Sequence, residues 1–172
     1  GKHIARQCAD QLIGCSLELG GKNPILVLKD ADLDRAAEGA VRAAFSNGGQ
    51  LCVSTERLYC AEEVYDSFVA KFVERTKAMK LGAGHGWGLD MGSLISEEQL
   101  KIVDDHVNDA VHHGARVLAG GKPRPDLGPY FYEPTILEDV TEQMACHNDE
   151  TFGPVISLYK FSTEDEAIEL AN

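Results

Sequence analysis

Short apolar runs alternate along the chain with stretches whose apolar residues recur at helical spacing. Ile4 to Ile13 reads as a helix, and Cys15 to Leu19 and Ile25 to Leu28 read as strands separated by Gly20-Gly21. Asp30 or Asp32 can cap a helix that runs to about Ser46, where Asn47-Gly48-Gly49 ends it. Arg57 to Cys60 is a short strand, and Val64, Phe68, Val69, Phe72 and Val73 then form one apolar stripe at helical spacing. Leu81 to Leu94 is a glycine-rich loop. Ser96 with Gln99 makes a capping box for a helix through His113, stopped by Gly114, with Leu100, Val103, Val107, Ala110 and Val111 as its stripe. Arg116 to Ala119 is a strand, Gly120 to Pro129 a turn-rich loop, and Tyr130 to Leu137 and Val155 to Phe161 are extended. Thr163 with Glu166 opens a last helix through a second capping box. The order predicts an α/β layered domain with a largely parallel sheet flanked by helices, and shows no internal boundary or repeat.

Composition narrows the setting. The length of 172 residues suits one domain, and 44% hydrophobic with 26% charged residues marks a globular chain. The net charge of −12 argues against nucleic acid, whose phosphates need basic partners, and disfavours docking on an anionic membrane. Apolar runs are short, Ile25 to Leu28 being typical, so no membrane span is expected. Cys8, Cys15, Cys52, Cys60 and Cys146 are odd in number and lack a framework spacing, which reads as reduced thiols and a cytoplasmic location. No Cys-x-x-Cys occurs, and the adjacent His112 and His113 cannot share a helical face, so no metal site is expected. The first residue is Gly1, and the last stretch closes inside a helical pattern; both ends are expected to be cuts from a longer protein.

Three segments carry candidate chemistry. Cys52 follows Asn47-Gly48-Gly49-Gln50-Leu51, between a helix and a strand, where two glycines let backbone approach a ligand and leave a thiol at a loop tip. A thiolate is the strongest side-chain nucleophile near neutral pH, whereas the competing reading is a small buried apolar residue. The other four cysteines fall within helix or strand patterns. Glu18 stands between Leu17 and Leu19 at the expected carboxyl end of a strand, where α/β proteins place chemistry; partly buried, it would serve as a general base, and otherwise it is a solvent-facing residue. Asn148 to Pro154 sets two acids before an aromatic and a Gly-Pro turn. A carboxylate there can accept from a ribose diol and Phe152 can pack a flat ring, or the segment is an ordinary acidic turn. Lys22, His147 and Arg57 have weaker cases, and Arg57 is expected to pair with an acid or a backbone carbonyl. No complete Gly-x-Gly-x-x-Gly loop is present.

Taken in order and spacing, Leu17-Glu18-Leu19-Gly20-Gly21-Lys22-Asn23-Pro24, Asn47 to Cys52 with Arg57, Glu133-Pro134-Thr135 and Glu150-Thr151-Phe152-Gly153-Pro154 resemble the aldehyde dehydrogenase superfamily. The resemblance implies Cys52 as nucleophile and Glu18 as general base. It implies that Glu150 and Phe152 hold the nicotinamide ribose and ring, with Leu19 touching the ring through its backbone, and that the cofactor is NAD or NADP. It further implies that residues 1–172 are a catalytic domain, with Gly1 to about Cys15 the tail of a cofactor domain. Most of that domain, the residue that separates NAD from NADP, the oxyanion-hole asparagine and the oligomerisation segment would then lie elsewhere in a homo-oligomeric parent.

The expected reaction is oxidation of a small aldehyde to its acid through a cysteine adduct and a thioester, which water activated by Glu18 hydrolyses. The stretch Gly49 to Tyr59 resembles that of bacterial succinate-semialdehyde dehydrogenases. Ser46 stands where better-described members carry arginine, which removes one expected partner of a substrate carboxylate, and Ser54 stands where many carry a second cysteine. Two alternatives follow from the same residues: a coenzyme-A-acylating relative, or a non-catalytic scaffold that keeps the thiol. The 172-residue piece alone is expected to transfer no hydride and to expose apolar surface left by absent domains.

Overall fold

The computed structural model describes every residue except His85. Five strands form one sheet in the order β1-β2-β5-β4-β3, with β1 Asn23–Val27, β2 Thr55–Ala61, β3 Arg116–Ala119, β4 Thr135–Glu138 and β5 Val155–Phe161. The pairs β1–β2, β2–β5 and β5–β4 are parallel, and β3 closes one edge antiparallel to β4. The helices are α1 Lys2–Asp10, α2 Leu33–Phe45, α3 Tyr65–Lys77, α4 Glu97–His112, α5 Ala145–Asn148 and α6 Glu164–Ala171. The expected layered α/β domain with a largely parallel sheet is therefore what forms. None of its described helices is long and apolar enough to cross a membrane.

Alternation along the inner strands divides the core in two. Leu58 and Cys60 of β2, Ile156 and Leu158 of β5 and Ile136 of β4 pack under α2 and α3. Val155 and Leu137 pack with Val103, Val107 and Ala110 of α4 in a second cluster. Helix α2 offers the small residues Ala37, Ala40 and Ala44, so the larger rings of its neighbour come close. Phe72 stacks on Phe45 with centroids 6.1 Å apart and on Phe68 at 5.6 Å. The stripe read from Phe68 and Phe72 is the fully buried part of α3, and Val64, Val69 and Val73 flank it.

Two expected strands change. Cys15 to Leu19 is not a strand: residues 11–20 are all exposed and irregular, and the sheet edge begins only at Asn23. Alternating side chains make a strand only where the backbone pairs with a neighbour, and residues 15–19 pair with none, leaving the outer edge of β1 open. Tyr130 to Leu137 shortens to β4, with Tyr132 forming a lone bridge to Pro123. The loop over Leu81 to Leu94 contains His85, which lies outside the described residues.

Both capping boxes also form only in half. Ser96 Oγ accepts from Gln99 N, but the Gln99 amide spans to the carbonyls of Thr151 and Phe152 instead of returning to Ser96. Thr163 Oγ1 accepts from Glu166 N, and Glu166 reaches one residue further back to Ser162 N. Truncating the central ring of the stacked trio, Phe72→Ala, is expected to lower unfolding free energy by about 3–5 kcal/mol. Urea denaturation checks this, and a loss below about 1 kcal/mol would remove the trio from the core account.

Candidate active site

Three loops meet where three neighbouring parallel strands begin. Lys22 precedes β1, Cys52 precedes β2 and Glu150 precedes β5, and parallel pairing sets those entrances side by side. The sequence reading had placed Glu18 at the carboxyl end of a strand. It lies instead on the exposed approach to the amino end of β1.

The thiol loop is built from left-handed backbone. Asn47, Gly48 and Gly49 take φ of 53°, 65° and 72°, turning the chain sharply out of α2. Asn47 Nδ2 donates to Gln50 O at 3.2 Å and Gln50 Nε2 to Asn47 O at 2.9 Å, while Gln50 Oε1 accepts from Ile95 N. A turn closed by Ser54 N on Leu51 O then carries Cys52 into solvent. Asn23 Nδ2 holds that turn from β1, donating to Cys52 O at 2.8 Å and to Ser54 O at 2.9 Å. Ser54 Oγ lies 3.1 Å from Ala43 O and 3.2 Å from Ala44 O, so its one proton serves the open carbonyl end of α2.

The cysteines divide by environment. Burial pushes the Cys60 thiol up to about 12 and raises Cys146 as well, so both stay protonated near neutrality. Cys8 is half-buried. Cys15 was read as part of a strand, but it is exposed on the irregular stretch described above. Cys52 combines exposure with a loop fixed from two strands and a helix.

Glu150 is half-buried, and its Oε1 accepts from Gly21 N at 3.0 Å. Its carboxylate lies against Gly20, where a Cβ would come within 1.9 Å of Oε2, so any larger residue there would displace the carboxylate from its seat. Gly49 meets the same loop from the other side, since a Cβ on it would lie 2.0 Å from Gly153 O. Glu18 and Leu19 remain exposed just before the Gly20-Gly21 seat, and Leu19 flanks Gly1. The structure thus joins the segment bearing Glu18 to the loop of Glu150 and Phe152, and that loop to the turn of Cys52.

Glu56 and Gln99, neither singled out from the sequence, organise the junction. Glu56 is 3% exposed, pairs with Lys22 Nζ, and accepts from Thr151 N at 2.9 and 3.1 Å and from Phe152 N at 2.9 Å. Gln99 Nε2 donates to Thr151 O at 2.9 Å and Phe152 O at 3.0 Å. Between them Phe152 is held at φ 49°, a conformation that costs a residue with a Cβ on the order of 1–3 kcal/mol. Lys22 also donates to Asp149 O, and His106 Nδ1 sits 3.1 Å from Thr151 Oγ1. Burial, followed by the nearby Lys22 charge, lowers the His106 pKa, outweighing Asp149, Glu56 and Asp109. Arg57 donates to Lys22 O, Leu170 O and Ala171 O, the backbone-carbonyl role expected for it. His147 packs edge-on against Tyr159, with centroids 5.9 Å apart.

A model of the aldehyde dehydrogenase family matches residues 1–172. The chain belongs to the aldehyde dehydrogenase family. It is 55% identical over all 172 residues to a protein of Mycolicibacterium smegmatis provisionally named succinate-semialdehyde dehydrogenase, NADP(+), and 44% identical to 3-sulfolactaldehyde dehydrogenase of Pseudomonas putida. Those matches span 33% and 35% of the two relatives, so the chain covers about a third of their length. The crystal structure of succinate-semialdehyde dehydrogenase from Burkholderia pseudomallei superposes with a TM-score of 0.94 at 41% identity, covering 100% of this chain and 36% of that one. Betaine aldehyde dehydrogenase from Staphylococcus aureus, solved with NAD+, gives 0.92 at 35% identity over 100% of this chain and 35% of that one. Against this aldehyde dehydrogenase frame, the exposed thiol, the Gly20-Gly21 seat and the loop of Glu150 and Phe152 are the segments that carried the likeness in the sequence.

Removing one member of the buried pair, in Glu56→Ala, is expected to cost about 3–5 kcal/mol by leaving Lys22 and two N–H groups without their acceptor. Urea denaturation reads it, and a cost under about 1 kcal/mol would show that water replaces the carboxylate. His106 gives a pH test. Its folded pKa lies below the unfolded value of about 6.5, so its contribution is complete above that pH and is lost as pH falls through the folded value. The stability loss between pH 7 and pH 5 is therefore expected to shrink in His106→Gln, and equal losses in both proteins would contradict it.

Proposed function

We propose that this chain carries the nucleophile and general base of an NAD(P)-dependent aldehyde dehydrogenase that oxidises a small aldehyde to its carboxylic acid. The observation that supports it is the exposed Cys52, fixed by Asn23 on a turn packed through Gly49 against the loop of Glu150 and Phe152. Cys52 thiolate adds to the aldehyde carbon, forming a C–S bond and moving the carbonyl pair onto oxygen. Backbone N–H at Cys52 stabilises that oxyanion. The nicotinamide, when bound, supplies the hydride acceptor that turns this adduct into a thioester on Cys52. Glu18 then takes a proton from water as the oxygen attacks the thioester carbon, and the C–S bond breaks to return the thiolate and release the acid.

The residues present suit a dinucleotide. One Glu150 oxygen is anchored on Gly21 N, which leaves the other for a ribose hydroxyl, and Phe152 keeps its ring only half-buried. Leu19 lies exposed next to the same seat. The names of the relatives favour NADP(+) as the dinucleotide. They also favour an aldehyde with an anionic far end, since succinate semialdehyde bears a carboxylate and 3-sulfolactaldehyde a sulfonate. Succinate semialdehyde is the substrate proposed here. Its anion partner is not residue 46, where Ser46 is exposed and uncharged. The proposed protein acts in the cytoplasm as a homo-oligomer.

In the full-length protein, iodoacetamide is expected to label Cys52 at least tenfold faster than Cys60 or Cys146, whose thiols are kept protonated by burial. Cys52→Ala is expected to abolish aldehyde oxidation. Glu18→Gln is expected to trap the acyl adduct, visible as added mass on intact protein. Equal labelling of the three cysteines together with an active Cys52→Ala enzyme would end the assignment.

A further inference from the structure

We propose that Glu56 and Gln99 are positioning residues that set Phe152 and Glu150 for the dinucleotide, an inference that rests on the reading of that pair as the cofactor contacts. Every main-chain polar atom of Thr151 and Phe152 is taken by a side chain from outside the loop. Both N–H groups donate to the single Glu56 carboxylate at the start of β2, and both carbonyls accept from the single Gln99 amide on α4. A central strand and a packed helix thus grip the main chain of two consecutive residues. The Thr151–Phe152 peptide, whose carbonyl accepts from Gln99 and whose N–H donates to Glu56, cannot rotate without breaking a bond to each element.

The grip is disproportionate to any packing need. Phe152 sits in the left-handed region, which glycine occupies without strain, and Gly153 follows it directly. A loop that only had to turn would place glycine at 152, and a loop that only had to fill the core would bury the ring. The ring is instead half-buried while its backbone is held by a nearly inaccessible carboxylate. Backbone strain maintained around a side chain that stays available is the mark of an aimed residue. Glu150 stands two residues upstream, its carboxylate seated on Gly20-Gly21, so any rotation of the gripped peptides also moves the ribose contact. Lys22 completes the device by holding Glu56 and Asp149 O together.

The decisive variant is Gln99→Ala. Gln99 is half-buried on α4, and its loss leaves carbonyls that water can reach, so the fold is expected to persist. Glu56→Gln is the second variant. Amide hydrogen exchange at Thr151 and Phe152, measured without nucleotide, is expected to speed up about tenfold in Glu56→Gln and measurably in Gln99→Ala. In the full-length protein, Gln99→Ala is expected to weaken NADP(+) binding about tenfold and to raise the KM for NADP(+), with the KM for succinate semialdehyde and the iodoacetamide rate at Cys52 unchanged. Wild-type exchange at Phe152 with wild-type NADP(+) affinity in Gln99→Ala would overturn the inference while leaving the enzyme assignment standing. So would an equal loss of Cys52 labelling, which would mark general loosening of the domain. Failure of the wild-type protein to bind NADP(+) or NAD+, or an active Cys52→Ala enzyme, would overturn both readings.

Discussion

Glu56 is a carboxylate placed almost out of reach of water at the first turn of a sheet strand, and its oxygens must be matched inside the protein. Lys22 supplies the opposite charge, and Thr151 and Phe152 supply the N–H groups. None of these partners belongs to the same run of chain as Glu56. The entrance to β1, the entrance to β2 and the loop before β5 are therefore forced into one arrangement, and the thiol turn inherits its place from them through Asn23 and Gly49. Such pairs add little net stability over a well-packed apolar core, because both ions lose their water. What this one adds is geometry.

The parts of the fold visible in the sequence are those where burial on one face leaves a period. Phe68 and Phe72, and Val103, Val107 and Ala110, lie where their spacing puts them. Ser96 and Thr163 start helices as their chemistry requires. The failures have a common origin in partners distant along the chain. Cys15 to Leu19 alternates well enough for a strand, but alternation does not reveal whether a neighbouring ladder exists. Gln99 completes a capping pattern in sequence, yet its amide finds better acceptors 52 and 53 residues away. Glu56 looks like any acid on a strand until the loop 95 and 96 residues downstream folds over it. Its closeness to Arg57 was uninformative, since Arg57 turns to the last carbonyls of α6.

For the candidate site, the exposure of Cys52 at a loop tip was legible because adjoining glycines and a polar turn mark such a tip. Glu18 is proposed by likeness alone, and it lies exposed on an irregular stretch instead of at the carboxyl end of a strand. The amino ends of β1, β2 and β5, not their carboxyl ends, gather the candidate residues. Parallel strands make this possible because all their entrances face one way. Three loops that each lead into the sheet then share one rim, and two glycines, Gly20 and Gly49, let them touch without intervening side chains.

Ser54 shows what such crowding excludes. Its hydroxyl closes the end of α2, a task that a sulfhydryl, as a weaker donor, would do poorly. The position two residues past Cys52 is thus committed to ending a helix and offers no second sulfur there. A sulfenic acid formed on the exposed Cys52 would find no resolving thiol at residue 54 with which to close a disulfide. A firmly terminated helix thus occupies the place where an adjacent second sulfur would stand.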